Sequence, residues 1–367
     1  MTLNPITCVV GFFMIKKIAE EFIGKSDFFK AKEISGGNIN KSYLINSNSG
    51  KYILQRINTA VFSDPQVLMQ NILSVCEHLK MKKISTLTFI KRIGSSGENV
   101  DSYLVHCENE FWRCMLYIEN SGQSVSLSNC ELAKLTGHAF GEFIKNCADI
   151  QTTLSPTIPN FHNLPDRIQT LNNIYNENKH LLRFKKADLV YKNITSLLEK
   201  VKCRLRDDLP DRITHNDTKM ANLLFNGDRI TVIDLDTVMV GKVTDDFGDA
   251  ARSVASSACE DEIDITKIYF DIDKFSAFSS GFLNGTQNLL TEDEIMALSY
   301  APAYVTAELA CRFLADYYNG NKYFNTFYPE HNLDRAINQT VLLDDMLDKQ
   351  GKIENIIKTE YMSLIVN

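Results

Sequence analysis

Between residues 30 and 58, apolar and polar positions alternate with a period of two. The runs K-A-K-E-I and S-Y-L-I-N flank Gly36-Gly37-Asn38-Ile39-Asn40, and a second turn at residues 46–50 leads into K-Y-I-L-Q-R-I. Alternating runs bounded by Gly and Asn predict strands joined by tight turns. The period then lengthens: Asp64-Pro65 opens a segment with apolar residues at Val67, Leu68, Ile72, Val75 and Leu79, the spacing of one helix face. Strand-like runs return at 87–93, 102–106 and 111–118, with 94–99 as a turn. The expectation is a small antiparallel sheet with one helix inserted. Upstream, Met14 opens a helix through I-K-K-I-A-E-E-F, leaving residues 1–13 as an extension ahead of the folded part.

Asn120-Ser121-Gly122 reads as a linker, and beyond it the helical period dominates. Helices are expected at 129–149 (capped at Ser128), 167–178, 186–206, 292–314 (interrupted by Pro302) and 332–347, with strands confined to 213–236. The chain divides into a β-rich lobe at 1–119 and a helical lobe at 120–367, an α+β arrangement. Its 367 residues suffice for two cores, and 44% hydrophobic with 23% charged residues is ordinary for a globular protein. A formal net charge of −7 without a basic cluster argues against nucleic acid as a partner. Nine cysteines without a C-x-x-C pair suit reduced thiols in a cytoplasmic protein. No run reaches the length of a membrane span, and no signal-peptide pattern opens the chain.

The chemistry lies in I-T-H-N-D-T-K-M-A-N-L-L-F-N-G-D-R-I-T-V-I-D-L-D, residues 213–236. Asp217 is placed to orient an acceptor hydroxyl and take its proton, as phosphoryl transfer requires. Asn222 and Asp234 are hard oxygen ligands suited to Mg²⁺, which also bridges nucleotide phosphates. Strand alternation would point Asp236 the same way as Asp234, toward metal, acceptor or Lys219. His215 reads as a structural residue of the loop. Asp246-Phe247-Gly248 spells a kinase metal motif but lies 24 residues after Asn222, whereas Asp234 lies 12 after it. The metal assignment therefore goes to Asp234, and Asp246 and Asp249 are expected to brace the loop or cap the next helix. Gly241-Lys242 lacks the rest of a phosphate-binding loop. The H-x-D-x-x-x-x-N spacing matches the protein-kinase catalytic loop with Asn216 in place of its Arg, so the fold class is a bilobal protein-kinase-like fold. In the sheet, Gly36, Gly37, Asn38 and Asn40 are candidates to cradle nucleotide phosphates. Where a kinase carries a strand Lys paired with a helix Glu, this chain offers Gln55 or Arg56, with Glu77 behind. The acidic run Glu260-Asp261-Glu262-Asp264 reads as a solvated loop.

Several stretches together resemble the aminoglycoside phosphotransferase/choline kinase superfamily, and within it the N-acetylhexosamine 1-kinases. They are G-N-I-N-K-S-Y, Y-I-L-Q-R-I-N-T-A-V-F, P-T-I-P-N-F-H-N-L-P-D-R, H-N-D-T-K-M-A-N, V-I-D-L-D-T-V-M, D-F-G-D-A-A-R and R-F-L-A-D-Y-Y-N-G-N-K-Y-F. The resemblance implies ATP- and Mg²⁺-dependent transfer to the anomeric hydroxyl of GlcNAc or GalNAc. By motif position it implies Asp217 as base, Asp234 as metal ligand and Asn222 assisting. It also implies that backbone groups at Tyr117, Ile118 and Glu119 meet adenine and that Arg312 meets the sugar. The chain departs from the G-H-I-N-D-T of such enzymes at Asn38, Lys41 and Ser42. Alternatives are a kinase for another small hydroxyl acceptor (an amino alcohol, an aminoglycoside or another sugar) and a nucleotide-binding pseudokinase, the latter motivated by the missing strand Lys.

Overall fold

The computed structural model describes the chain apart from residues 1–4, 26, 35–38, 94–99, 120–127, 182–184, 203–207, 228 and 367. It divides into two compact units, Met1–Ser121 with Thr152–Ile158, and Gly122–Gln151 with Pro159–Asn367.

In the first unit, β1 (Phe28–Ile34), β2 (Lys41–Ser47), β3 (Gly50–Ile57), β4 (Val105–Cys107) and β5 (Glu110–Leu116) form one antiparallel sheet in the order β1-β2-β3-β5-β4. Helix α1 (Pro5–Ile23) begins upstream of the expected Met14. Its Ile18, Ala19 and Phe22 bury against Ile45, Tyr52, Leu54 and Trp112, so one sheet face has its own core. This helix adds to the expected one, α2 (Pro65–Met81), which starts where the Asp64 carboxylate accepts the amides of Gln66 and Val67. Asn71 on α2 clasps the returning segment: its amide donates to the Ser155 carbonyl (2.7 Å) and its Oδ1 accepts the Ser155 amide (3.1 Å). The run at 87–93 is not a full strand. It touches β5 through a single bridge at Phe89–Met115, with Ile90 N–H on Cys114 O and Leu116 N–H on Thr88 O, both 2.9 Å. The strand expected at 102–106 forms later, as β4.

The second unit is built from α3 (Asn129–Cys147), α4 (Leu164–Asn178), α5 (Lys185–Lys202), α6 (Val243–Ala255), α7 (Ile272–Thr286), α8 (Glu292–Leu298), α9 (Ala301–Tyr318), α10 (His331–Asp348) and α11 (Gln350–Val366). Two small antiparallel ladders interrupt them, β6 (Arg212–Thr214) with β9 (Met239–Gly241), and β7 (Leu223–Asn226) with β8 (Arg229–Val232). Phe247 of α6 lies in one core among Phe275, Phe278 and Phe282. A second core joins α4, α5, α9 and α10. The break expected at Pro302 falls just before it, and Pro302 opens α9, where its missing N–H costs nothing. Arg212 anchors β6 to α8 with two bonds to the fully buried Glu294, 2.9 and 2.8 Å.

Helices α3 and α7 approach backbone to backbone, which only glycine allows. A Cβ on Gly281 would stand 2.0 Å from the Lys134 carbonyl oxygen, and one on Gly137 would stand 2.2 Å from that of Phe278. Because the obstacle is backbone, relief requires the helices to part. Gly281→Ala is expected to destabilise the protein by about 3 kcal/mol, read as a lowered denaturant midpoint. An unchanged midpoint would mean that the two helices separate freely.

Candidate active site

The loop after β6 turns at Asn216, whose φ is +65°. Asn tolerates this left-handed region better than other side chains, which accounts for Asn at the position an Arg holds in protein kinases. Its side chain is spent locally: Nδ2 donates to Thr237 O (2.9 Å), and Oδ1 accepts from the Thr214 hydroxyl (3.1 Å). The turn aims successive amides one way. His215 N–H (2.8 Å) and Asn216 N–H (2.6 Å) both donate to the buried Asp246 carboxylate, and Thr218 N–H donates to Asp249 (2.9 Å). The Asp246 and Asp249 of D-F-G-D thus brace the loop, as expected. Burial pushes the Asp246 carboxyl up to about 6, opposed by the two amides that donate to it.

His215 is fully buried, edge-on to Phe140 and Phe143, both 5.7 Å away. Its Nε2 donates to Ile233 O (2.9 Å), and its Nδ1 accepts the Asp217 amide (3.2 Å). One donor and one acceptor define a neutral ring that cannot also act as a base on substrate.

Asp217 is half-buried. Lys219 Nζ and Asn222 Nδ2 both donate to its Oδ2 at 2.9 Å, and Asn222 Nδ2 reaches the Asp217 carbonyl at 2.7 Å. With its nitrogen committed, Asn222 has its amide oxygen for a cation. Asp234 arrives through the hairpin: Ile233 N–H donates to Asn222 O (2.9 Å), while Ile233 O receives His215. Asp234 itself has φ +60°, a strained conformation for a residue other than glycine. Burial of its surroundings, then repulsion from Asp236 and Asp217, pushes its carboxyl up to about 6, against the attraction of Lys219. The residue keeps solvent access, which moderates the first cause, so repulsion among the carboxylates is the durable one. Asp236 does not follow Asp234 along a strand. β8 ends at Val232, and the left-handed Asp234 starts a 3₁₀ turn, Leu235–Thr237, that buries Asp236. The alternation expected of this pair is therefore corrected.

Among the described residues, no group of three or more His, Cys, Asp or Glu side chains is arranged to hold a metal ion by itself. An amide oxygen and a carboxylate instead fit a hard cation that keeps waters and takes further oxygens from phosphates.

A second arrangement was not legible in the sequence. His162 Nδ1 meets Glu308 Oε2 at 2.7 Å, and its Nε2 meets the Asn216 carbonyl at 2.9 Å. Both partners only accept, so both ring nitrogens donate and the ring is an imidazolium. Burial alone would lower its pKa, but Glu308, and then Asp245 and Asp249, raise it to about 10. Glu308 also faces Arg312 (3.5 Å) and Arg167 (3.7 Å). The Arg312 guanidinium lies 5.2, 5.5 and 5.4 Å from the ring centres of Phe161, Tyr323 and Phe324. Asp316 shapes that cage by accepting the amides of Lys322 (2.9 Å), Tyr323 (2.9 Å) and Phe324 (3.0 Å). A cavity of about 380 Å³ is walled by His162, Asp166, Lys242, Asp245 and Tyr300. None of Asp217, Asn222, Asp234, Asp236 and Arg312 lines it, so cavity size does not locate the chemistry.

The remaining candidates lie in the first unit. Gly36, Gly37 and Asn38 lie outside the described residues. Asn40 Oδ1 accepts the Asn58 amide (2.9 Å). Arg56 shares the face of Tyr52 and Leu54 and pairs with Glu110. Gln55 lies on the other face and accepts two bonds from the buried Arg113, 3.0 and 2.9 Å, while donating to Ser42 (3.0 Å). Arg113 was missed because its partners come from other strands; Glu77 is exposed. Tyr117 N–H bonds to Lys51 O (3.1 Å), and Lys51 pairs with Glu119 (2.8 Å).

The antiparallel sheet unit, the helical unit and the braced H-x-D-x-x-x-x-N loop define a kinase-like phosphotransferase. A model of the phosphotransferase enzyme family matches residues 30–270, and the chain belongs to that family. Its fold is similar to that of a spectinomycin phosphotransferase solved with ADP and spectinomycin (12% identity, 93% of this chain and 98% of that chain covered, TM-score 0.61). It is also similar to an amicoumacin kinase solved with AMP-PNP, Ca²⁺ and its ligand Ami (14%, 95% and 96%, 0.59). A Plasmodium vivax ethanolamine kinase is likewise similar (13%, 92% and 89%, 0.58). Among the described residues, no helix is long and apolar enough to cross a membrane.

A histidine whose pKa is raised on folding stabilises fully below its unfolded value, and the contribution fades as pH climbs through the folded value. For His162 that window runs from about 6.5 to about 10. The melting temperature of the wild type should therefore fall more steeply than that of His162→Gln between about pH 7 and pH 10. Parallel pH profiles would show that His162 is not charged in the folded protein.

Proposed function

We propose that this phosphotransferase uses Mg-ATP to phosphorylate a small neutral sugar, an N-acetylhexosamine, at its anomeric hydroxyl. The observation that carries this reading is the Asp217 carboxylate, gripped on one oxygen by Lys219 and Asn222, with Asp234 delivered beside the same loop. Asp217 Oδ1 then orients the acceptor hydroxyl and takes its proton as the bond to phosphorus forms. Asn222 and Asp234 would hold the cation, which neutralises charge on the nucleotide phosphates when bound. Lys219 holds Asp217 Oδ2 in place and offers a positive charge beside the transferring group. In the first unit, the candidates to meet the nucleotide are Asn40, Arg56 and the backbone of Tyr117–Glu119, together with Gly36, Gly37 and Asn38, which lie outside the described residues.

The charges here do not call for a cationic acceptor. Around Glu308 stand Arg312, Arg167 and a charged His162, with Asp245 and Asp249 beside His162, so the cluster is close to balanced and does not single out an ammonium group. Among the described residues, Arg312 makes long bonds alone, 3.5 Å to Glu308 and 3.4 Å to the Tyr323 hydroxyl. That leaves guanidinium donors for sugar hydroxyls or an acetamido carbonyl, and the rings around it suit a pyranose face. Asp236, being buried, acts through the loop if it serves the acceptor at all.

In an ADP-release assay with Mg-ATP, GlcNAc or GalNAc should turn over, while ethanolamine, choline and aminoglycosides should not. Asp217→Asn should lower kcat by at least about a hundredfold with ATP binding retained. Turnover of an amine instead of any hexosamine would sink the sugar reading but keep the kinase. Nucleotide binding without transfer to any acceptor would favour the pseudokinase.

A further inference from the structure

We propose that His162 is a positioning residue for phosphoryl transfer, acting through the single peptide unit that leads into Asp217. That unit carries the Asn216 carbonyl at one end and the Asp217 N–H at the other, and it is planar and stiff. His162 Nε2 holds the carbonyl at 2.9 Å, and His215 Nδ1 holds the N–H at 3.2 Å. Two histidines from distant parts of the chain thus clamp opposite ends of one rigid plate. Asn216 is also in the left-handed region and has its own N–H on Asp246. The peptide orientation is held from three sides, and the Asp217 side chain inherits it.

The bland alternative is that His162 merely neutralises the buried Glu308. Glu308 has other cationic neighbours, Arg312 at 3.5 Å and Arg167 at 3.7 Å, so its charge does not depend on His162 alone. The Asn216 carbonyl is a different matter: among the described residues, the side chain that meets it is His162. Glu308 then fixes the ring's orientation and ties the clamp to α9, which carries Arg312. This coupling of Asp217 to the proposed acceptor contact rests on the functional reading above; the clamp on the loop does not.

Two substitutions separate the roles. A glutamine amide nitrogen mimics Nε2, so His162→Gln keeps a donor for the Asn216 carbonyl and loses the Glu308 bond. An asparagine amide mimics Nδ1, so His162→Asn keeps the Glu308 bond and releases the loop. With GlcNAc and Mg-ATP, His162→Asn should lower kcat by about tenfold to a hundredfold, leaving KM for ATP within about twofold. His162→Gln should recover about tenfold of that loss. If Asn is as active as Gln, or more so, His162 serves only as a counter-ion and the proposal fails.

Amide hydrogen exchange over residues 214–222 decides the matter without any acceptor. Exchange should quicken in His162→Asn and stay near wild type in His162→Gln; equal exchange in both variants overturns the clamp. If His162→Asn does not fold, wild type against His162→Gln remains decisive, since faster exchange in His162→Gln overturns it. A wild type inert toward GlcNAc refutes the sugar reading alone.

Discussion

The buried carboxylate of Asp246 carries the constraint on which the site depends. It collects the amides of His215 and Asn216 at 2.8 and 2.6 Å, which forces the chain leaving β6 into a left-handed turn. Without that anion, two adjacent buried N–H groups would lack partners, at a cost of about 1–3 kcal/mol each. The turn explains Asn at position 216 and sends the Asp217 amide toward His215. It also explains why a D-F-G sequence serves here as scaffolding: the acid that resembles a metal ligand is spent on backbone. Its position on α6, whose Phe247 is packed among Phe275, Phe278 and Phe282, ties loop geometry to the core of the helical unit.

The two histidines at this loop have opposite electrical states, set by what each nitrogen meets. His215 faces a carbonyl and an N–H and is neutral; His162 faces a carbonyl and a carboxylate and is charged. Placing the charge on His162 leaves His215, inside the loop, as a neutral ring that ties the Asp217 amide to the Ile233 carbonyl. It also satisfies Glu308, a carboxylate buried on α9 that would otherwise lean on Arg312 and leave fewer of its donors for a ligand.

What could be read from the sequence was local. Asp217, Asn222 and Asp234 were visible because the loop and the hairpin after it fit within two dozen residues, and the bracing role of Asp246 followed from its wrong spacing for a metal. Asp236 was misread because a period of two holds only while the strand lasts, and no residue pattern announces that Asp234 has a positive φ. His162, Glu308 and Arg113 were invisible because their meaning comes from partners on other elements. The upstream start of α1 was missed because I-T-C-V-V-G-F-F is too uniformly apolar to display a helical face. The strand at 87–93 looked right in pattern but pairs with β5 only locally, a matter of register that alternation cannot supply.

On the proposed reading, chemistry and selection occupy separate parts of the helical unit. Proton acceptance and cation ligation then belong to a loop whose backbone is held by Asp246 and Asp249 of α6 and by His162, so they would serve any hydroxyl brought to Asp217. Selection, on the proposed reading, belongs to Arg312 and its aromatic cage, built by Asp316 gathering three amides from the turn after α9. That turn can change its side chains without disturbing the loop, because Asp316 binds its backbone only. Such a division lets one phosphoryl-transfer frame accept different small molecules. On that reading, a guanidinium among rings offers its donors to an acceptor that brings hydroxyl and carbonyl oxygens.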